Sequence, residues 1–289
     1  MERIINGMRF EGQRVENCWD VRTWSCNGVM ERSARPVIDW SESLIEGWSD
    51  KLDPVDPVRD AEWLAEKRLR SLKVSAARAK TQCRRFIIHE GFDEMLTLTY
   101  RQSQPDRALC KVHFKAWVRR MKAALGGFRF CAAFEAQERG SMHVHCATHK
   151  MPKEAIYKGV KVLTWKLGTR IWRDVVGADN GLCFVGAKNG RDGRRHHKLS
   201  LAKMANYVSK YILKDFEAAP AESNRYSRSN GDVVADVHVC RFNGTLIDVV
   251  AACFQVNDGD VIVSHRVGHF GDTWWLCTEL SENLQGCRS

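Results

Sequence analysis

Two histidines two residues apart, His143 and His145, sit in the second arm of a stretch that reads FRFCAAFEAQ, ERGS and MHVHCAT from Phe128 to Thr148. Both arms alternate as a strand does, and the polar, Gly-containing centre is a turn signal. Residues two apart on a strand share a face. A turn centred on Arg139 sets Gln137 opposite Ser141 and Glu135 opposite His143, with directly opposed Cβ atoms about 5 Å apart. Two imidazoles and one carboxylate then converge on one patch, a three-ligand site for a divalent cation with coordination positions left open. A His-x-His alone is commonly an ordinary solvated hairpin. Glu135 across the turn weighs against that reading.

The second group of reactive side chains lies in NYVSKYILK, Asn206 to Lys214. Tyr207 and Tyr211 are four apart and share one helical face, and Lys210 and Lys214 each follow a tyrosine by three. A phenol becomes a nucleophile when deprotonated, from an ordinary pKa of about 10, and a neighbouring ammonium or metal cation favours the phenolate. A Tyr-x-x-x-Tyr packed into a core is the plainer alternative.

These groups need elements to hold them. Ser200 can cap a helix from Leu201 to Phe216. Met95 to Tyr100 alternates, with Leu96 and Leu98 on one face and Thr97 and Thr99 on the other, the site face if this strand is central. Arg101 follows directly. Lys111 to Leu125 reads as a helix stopped by Gly126-Gly127. Asp56-Pro57 is a helix start, and Val58 to His89 has neither Gly nor Pro. The later half of that long helix carries Lys73, Arg78, Lys80, Arg84 and Arg85. Such a run is a solvated face or a DNA-backbone contact; Arg84, Arg85, Thr97, Thr99, Arg101 and Lys214 are the DNA-binding candidates. Pro152 opens a further helical stretch, Val160 to Val176 reads as helix, Gly181 to Lys188 as strand, and 188–198 as a basic loop suited to phosphates. Residues 1–55 suggest short strands and loops packed on the main domain. Segments at 233–242, 246–254, 260–267 and 273–280 read as short strands. Three segments result: an N-terminal segment 1–57, a main domain 58–217, and a loop and strand-rich extension 218–289.

Lys and Arg outnumber Asp and Glu by 45 to 35, and the pI of about 9.1 favours an anionic partner such as nucleic acid. The opening residues have no signal-peptide core and no apolar run is long enough to span a bilayer, so a cytoplasmic protein without membrane partners is expected. The 11 cysteines are scattered without a C-x-x-C pair, which argues for reduced, buried thiols rather than disulfides or a zinc knuckle.

LTLTY at 96–100, HVH at 143–145 and YVSKYILK at 207–214, in that order, resemble the three motifs of the HUH endonucleases. The spacing from Glu135 to His145 and the later RYSRSNG at 225–231 resemble the rolling-circle replication initiators of single-stranded DNA phages, the filamentous gene II type in particular and, more distantly, the gene A type of the isometric phages. The resemblance spans about Ser75 to Gly231. It implies an α+β domain with a central antiparallel sheet and flanking helices. It also implies metal-dependent nicking of single-stranded origin DNA, with a tyrosine joined to the 5′ phosphate and a free 3′ hydroxyl left as primer, followed by strand transfer that closes the circle. By the same resemblance His143, His145 and Glu135 hold the metal, Tyr207 is the first nucleophile with Lys210 as its electrostatic partner, and Tyr211 is the second. Carboxylate and imidazoles without a thiolate at ligand spacing point to Mg²⁺ or Mn²⁺; Cys146 faces the other side of its strand. Without a Walker-type element, duplex unwinding falls to a host helicase, and extension to a host polymerase. The competing readings are an HUH transposase or relaxase, a non-catalytic DNA-binding protein, and a zinc-stabilised module using His143, His145, His149 and a cysteine.

Overall fold

The computed structural model describes residues 2–5, 8–42, 57–188, 196–197, 199–214, 224–231, 236–255, 259–268 and 273–285. In chain order the elements are β1 (Glu2–Ile5), β2 (Met8–Cys26), β3 (Val29–Glu42), α1 (Pro57–Glu90), β4 (Glu94–Tyr100), α2 (Arg107–Leu125), β5 (Phe130–Ala136), β6 (Met142–Thr148), β7 (Glu154–Tyr157), β8 (Val160–Leu163), α3 (Thr164–Val176), β9 (Gly181–Val185), β10 (Ala187–Lys188), β11 (His196–His197), α4 (Leu201–Lys214), β12 (Tyr226–Arg228), β13 (His238–Asn243), α5 (Leu246–Gln255), β14 (Asp260–Val267), β15 (Trp274–Leu280) and α6 (Ser281–Gln285). Among them no helix is long and apolar enough to cross a membrane.

The chain divides into two units, Arg68–Val234 with Glu282–Ser289, and Met1–Lys67 with Ala235–Ser281. The first is α+β, as the motifs imply, with a five-stranded antiparallel sheet in the order β12-β5-β6-β4-β9. Its strands alternate between two faces. Leu96, Leu98, Phe134, Val144 and Cys146 enter a core with Phe114, Trp117 and Met121 of α2 and Leu167, Ile171 and Trp172 of α3. Helix α2 begins at Asp106, whose Oδ1 accepts hydrogen bonds from the Ala108 and Leu109 amides at 2.7 and 3.1 Å, an N-cap that serves otherwise orphaned donors. It ends at Gly126 in the left-handed region, φ 70°. The Trp117 indole donates to Gly168 O at 3.0 Å and the Trp172 indole to Thr99 O at 2.9 Å, tying α2 to α3 and α3 to β4.

Several expectations change. The stretch after Pro152 is not helical but forms the β7–β8 hairpin, turned by Lys158 and Gly159 at φ 51° and 75°. Positive φ at both central residues is the turn geometry that suits hairpin twist. Helix α3 accordingly begins at Thr164 rather than near Val160. RYSRSNG supplies an edge strand: β12 pairs with β5, and the Ser229 and Phe130 backbones and the Ser229 hydroxyl lock its end. Residues 189–195 of the basic loop and Phe216, the expected helix end, lie outside the described residues.

In the second unit the N-terminal region holds long strands, not short ones. The 19-residue β2 and 14-residue β3 turn at Asn27-Gly28, both at positive φ. A register shift between Arg14 and Trp19 breaks the alternation, which is why the tryptophan-rich segment shows no sustained period. The sheet runs β1-β2-β3-β15-β14, with β13 also on β2. The two chain ends therefore share one sheet. The segment at 246–254 is helix α5, not strand. Thr245 and Asp248 cap it reciprocally, with the Thr245 amide and hydroxyl each 2.8 Å from Asp248 Oδ2 and the Asp248 amide 3.3 Å from Thr245 Oγ1. Val249 and Cys253 then meet Trp19, Val21, Ala34, Trp274 and Leu276.

Helix α3 lies so close to β9 that a Cβ on Gly168 would stand 2.7 Å from Cys183 Sγ. At an exposed helical site Gly→Ala stabilises by up to about 1 kcal/mol. Here overpacking costs about 1–3 kcal/mol, so Gly168→Ala is expected to lower the thermal midpoint followed by circular dichroism; a rise would contradict the packing described.

Candidate active site

The β5–β6 hairpin sets the site. Its register pairs Glu135 with His143 and Ala133 with His145, and Gln137 N meets Ser141 O at 3.0 Å across the turn. On the other side of β6, Thr97 pairs with His145 and Thr99 with His143. Carboxylate, imidazoles and threonines thus share the face turned away from the aromatic core. Helix α4 packs over β5 and β6 and begins with the Ser200 hydroxyl accepting from the Lys203 amide at 3.4 Å.

Tyr211 stacks flat on His145, with ring centroids 3.9 Å apart and planes 9° from parallel. Tyr207 meets the same imidazole edge-on at 5.7 Å and Tyr211 at 5.4 Å. The Lys210 ammonium lies 4.3 Å from the Tyr207 ring centroid and 4.9 Å from that of Tyr211. The same face of one helix thus presents both phenols to the histidine strand. Tyr211 is buried at 5% exposure, and burial, its hydrogen bond with Tyr207 and the Glu135 charge hold its hydroxyl protonated, well above the ordinary phenol range. Tyr207 is only half-buried and is the phenol an incoming strand reaches first.

Lys214 does not repeat the role of Lys210. Its Nζ pairs with Glu135 Oε1 at 2.8 Å and lies 5.3 Å from the Tyr211 centroid. Glu135 Oε2 is 2.9 Å from His145 Nε2. Burial raises the Glu135 pKa, but hydrogen bonds from His145 and Lys214 outweigh it and the net direction is down. Burial also holds His145 below its ordinary value, against the pull of Glu135, so the imidazole is neutral at neutral pH. An ionised carboxylate only accepts, so Nε2 carries the proton and donates to Glu135. Nδ1 is then the acceptor, 3.4 Å from the Thr97 hydroxyl. Lys210 is lowered, first by burial and then by the Lys214 ammonium.

Among the described residues, no group of three or more His, Cys, Asp or Glu side chains is arranged as a metal cage. The expected set of His143, His145 and Glu135 is gathered on one patch, yet Glu135 is engaged by an imidazole N–H and an ammonium, and the two imidazole centroids are 6.3 Å apart. The donor chemistry nevertheless fits a hard or borderline cation: a neutral imidazole and an ionised carboxylate in contact, with a second imidazole beside them. The Lys214 ammonium already stands on Glu135 as a positive charge. A zinc module has less support, since Cys146 lies on the core face with its thiol raised by burial and His149 packs edge-on against Phe92 at 4.8 Å.

The DNA-contact candidates divide. Thr97, Thr99 and Lys214 are in the site, and Arg101 is exposed just beyond β4. Arg84 is buried at 6% exposure and Arg85 half-buried, because this part of α1 packs with Cys83, Phe86 and Ile87 turned inward. Arg84 therefore does not present an open cation to phosphates. The alternation of Leu182 and Phe184 on β9, in register with Thr99 and Thr97, carries the site face to the edge of the sheet, a placement the sequence reading omitted.

A depressed carboxylate pKa stabilises the folded state above the unfolded value and loses that contribution as pH falls through the folded value. For Glu135 the window opens near its ordinary 4.5 and extends downward. Glu135→Gln is expected to flatten the decline of the thermal midpoint between about pH 5 and pH 3; an unaltered decline would mean that Glu135 is not held ionised by His145 and Lys214.

Residues 93–216 match the model of the replication-associated protein family that takes its name from ORF2 and the gene II protein. That stretch includes β4, the β5–β6 hairpin and α4, and so every residue of the tyrosine–histidine patch. No curated protein and no solved structure matches the chain. The family match supports a replication-associated protein that acts on DNA, of the kind that initiates rolling-circle replication.

Proposed function

We propose that this protein is a rolling-circle replication initiator that nicks single-stranded origin DNA through a tyrosine and then transfers the strand to close a circle. The observation that carries this reading is the packing of two phenols against one histidine–carboxylate patch, Tyr211 stacked on His145 and Tyr207 at its edge. The replication-associated family match over those same residues supports it.

In the reaction the Tyr207 phenol loses its proton and its oxygen forms a bond to the scissile phosphorus. The P–O3′ bond breaks and the leaving 3′ oxygen gains a proton. The products are a 5′-phosphotyrosine and a 3′ hydroxyl primer. Lys210, against the Tyr207 ring, favours the phenolate as it forms. Glu135 keeps His145 in one tautomer and orientation. His143, His145 and Glu135 would hold a Mg²⁺ or Mn²⁺ ion, which supplies Lewis-acid polarisation of the phosphate oxygens. Tyr211, one turn away on the same face, is the second nucleophile, needed when the regenerated origin is cut while the first tyrosine still holds the old 5′ end. The partners are single-stranded origin DNA, a host helicase and a host polymerase, in the cytoplasm of the replicating cell.

The test is incubation with labelled single-stranded oligonucleotides of random sequence and Mn²⁺, read as a protein–DNA band on a denaturing gel. Tyr207→Phe is expected to lose the first adduct by more than about 1,000-fold. Tyr211→Phe keeps the stack on His145 and should form that adduct but close circles poorly. His143→Ala and His145→Ala should each abolish the adduct while leaving DNA binding largely intact, because binding rests on dispersed Lys and Arg. Adducts mapped only to Tyr207 with normal closure in Tyr211→Phe would remove the second nucleophile; no adduct from the unaltered protein would leave a non-catalytic DNA-binding protein.

A further inference from the structure

A cavity of about 500 Å³ opens beside His143, lined by Thr99, Arg101, Gln137, Arg139, Leu182 and Phe184 among others. It lies within the range of small-ligand clefts, about 300–1,000 Å³. We infer that this cleft is the subsite for the nucleotide immediately 5′ of the scissile phosphate, the one whose 3′ oxygen leaves. The inference rests on the phosphodiester-transfer reading above.

Three observations lead there. The sheet registers align His145, Thr97 and Phe184 in one row and His143, Thr99 and Leu182 in the next. Strand spacing puts the outer members about 10 Å from the histidines, a reach suited to a neighbouring nucleotide. The attacking phenols come from the opposite side, because α4 packs over β5 and β6 while the cleft follows β4 and β9. An in-line displacement expels the leaving oxygen away from its nucleophile, hence toward the cleft and not under α4. The lining also suits a nucleotide. Phe184 offers an aromatic face to a base, and Arg101 and Arg139 offer charge to flanking phosphates. The Arg139 Nε donates to Gln137 Oε1 at 2.9 Å, which leaves the Gln137 amide NH₂ to donate to an acceptor on the base edge.

The test is selection of covalent adducts from a randomised single-stranded library with Mn²⁺, sequencing both the released and the protein-bound fragments. The unaltered protein should show a base preference at the position 5′ of the cut. Phe184→Leu should reduce that preference about tenfold and leave the preference on the 3′ side in place. Arg139→Gln, on an exposed turn, should weaken the same preference and carries the test if Phe184→Leu does not fold. No preference at that position, or a loss confined to the 3′ side, overturns the subsite while the adducts uphold the nicking reaction. Absence of adducts from the unaltered protein overturns both.

Discussion

The antiparallel register of β5 on β6 is the constraint on which the site depends. With a side-chain period of two, one residue of slip would send Glu135, His143 and His145 into the aromatic core and turn Phe134, Val144 and Cys146 outward. Those three are fully or almost fully buried, and each large apolar side chain contributes about 1.5–3 kcal/mol by leaving water. The hydrophobic face thus holds the reactive face in place. The same logic runs outward through β4, where Leu96 and Leu98 anchor the strand and Thr97 and Thr99 follow the histidines.

Placing a carboxylate against two imidazoles under a helix has an electrostatic cost, and α4 answers it. A buried charge is tolerated when it is paired and hydrogen-bonded. Glu135 receives both an imidazole N–H and the Lys214 ammonium. That pairing seats the helix end on the sheet and so fixes where Tyr211 stacks and where Tyr207 lies. Lys214 thereby acts as a strut for the helix, while Lys210, one turn earlier, stays with the phenols. Two lysines in equivalent sequence relation to two tyrosines have different tasks because only one of them can reach the carboxylate.

Much of this was legible in the sequence. The turn residues and the alternation of FRFCAAFEAQ and MHVHCAT determine that Glu135 opposes His143, since a tight hairpin has few registers. Helical spacing alone determines that Tyr207 and Tyr211 share a face, and the apolar positions of 111–125 determine which side of that helix is inward. Short-range chemistry of this kind does not depend on the rest of the chain. Thr245 and Asp248 belong to the same class: a capping box in the sequence that starts α5, although the apolar run after it has the composition of a strand.

Other features were decided by tertiary structure, because each depends on what a distant segment brings. Whether Arg84 meets solvent depends on which face of α1 packs, and a charge run does not carry that information. The edge strand from Tyr226 to Arg228 depends on an open flank of β5 almost a hundred residues earlier. The sharing of one sheet by β2, β3, β13, β14 and β15 requires the two chain ends to meet, and a register shift between Arg14 and Trp19 conceals the long strand from any periodicity. The partner of Lys214 was settled by distance through space, where a carboxylate left in a buried face takes the nearest ammonium.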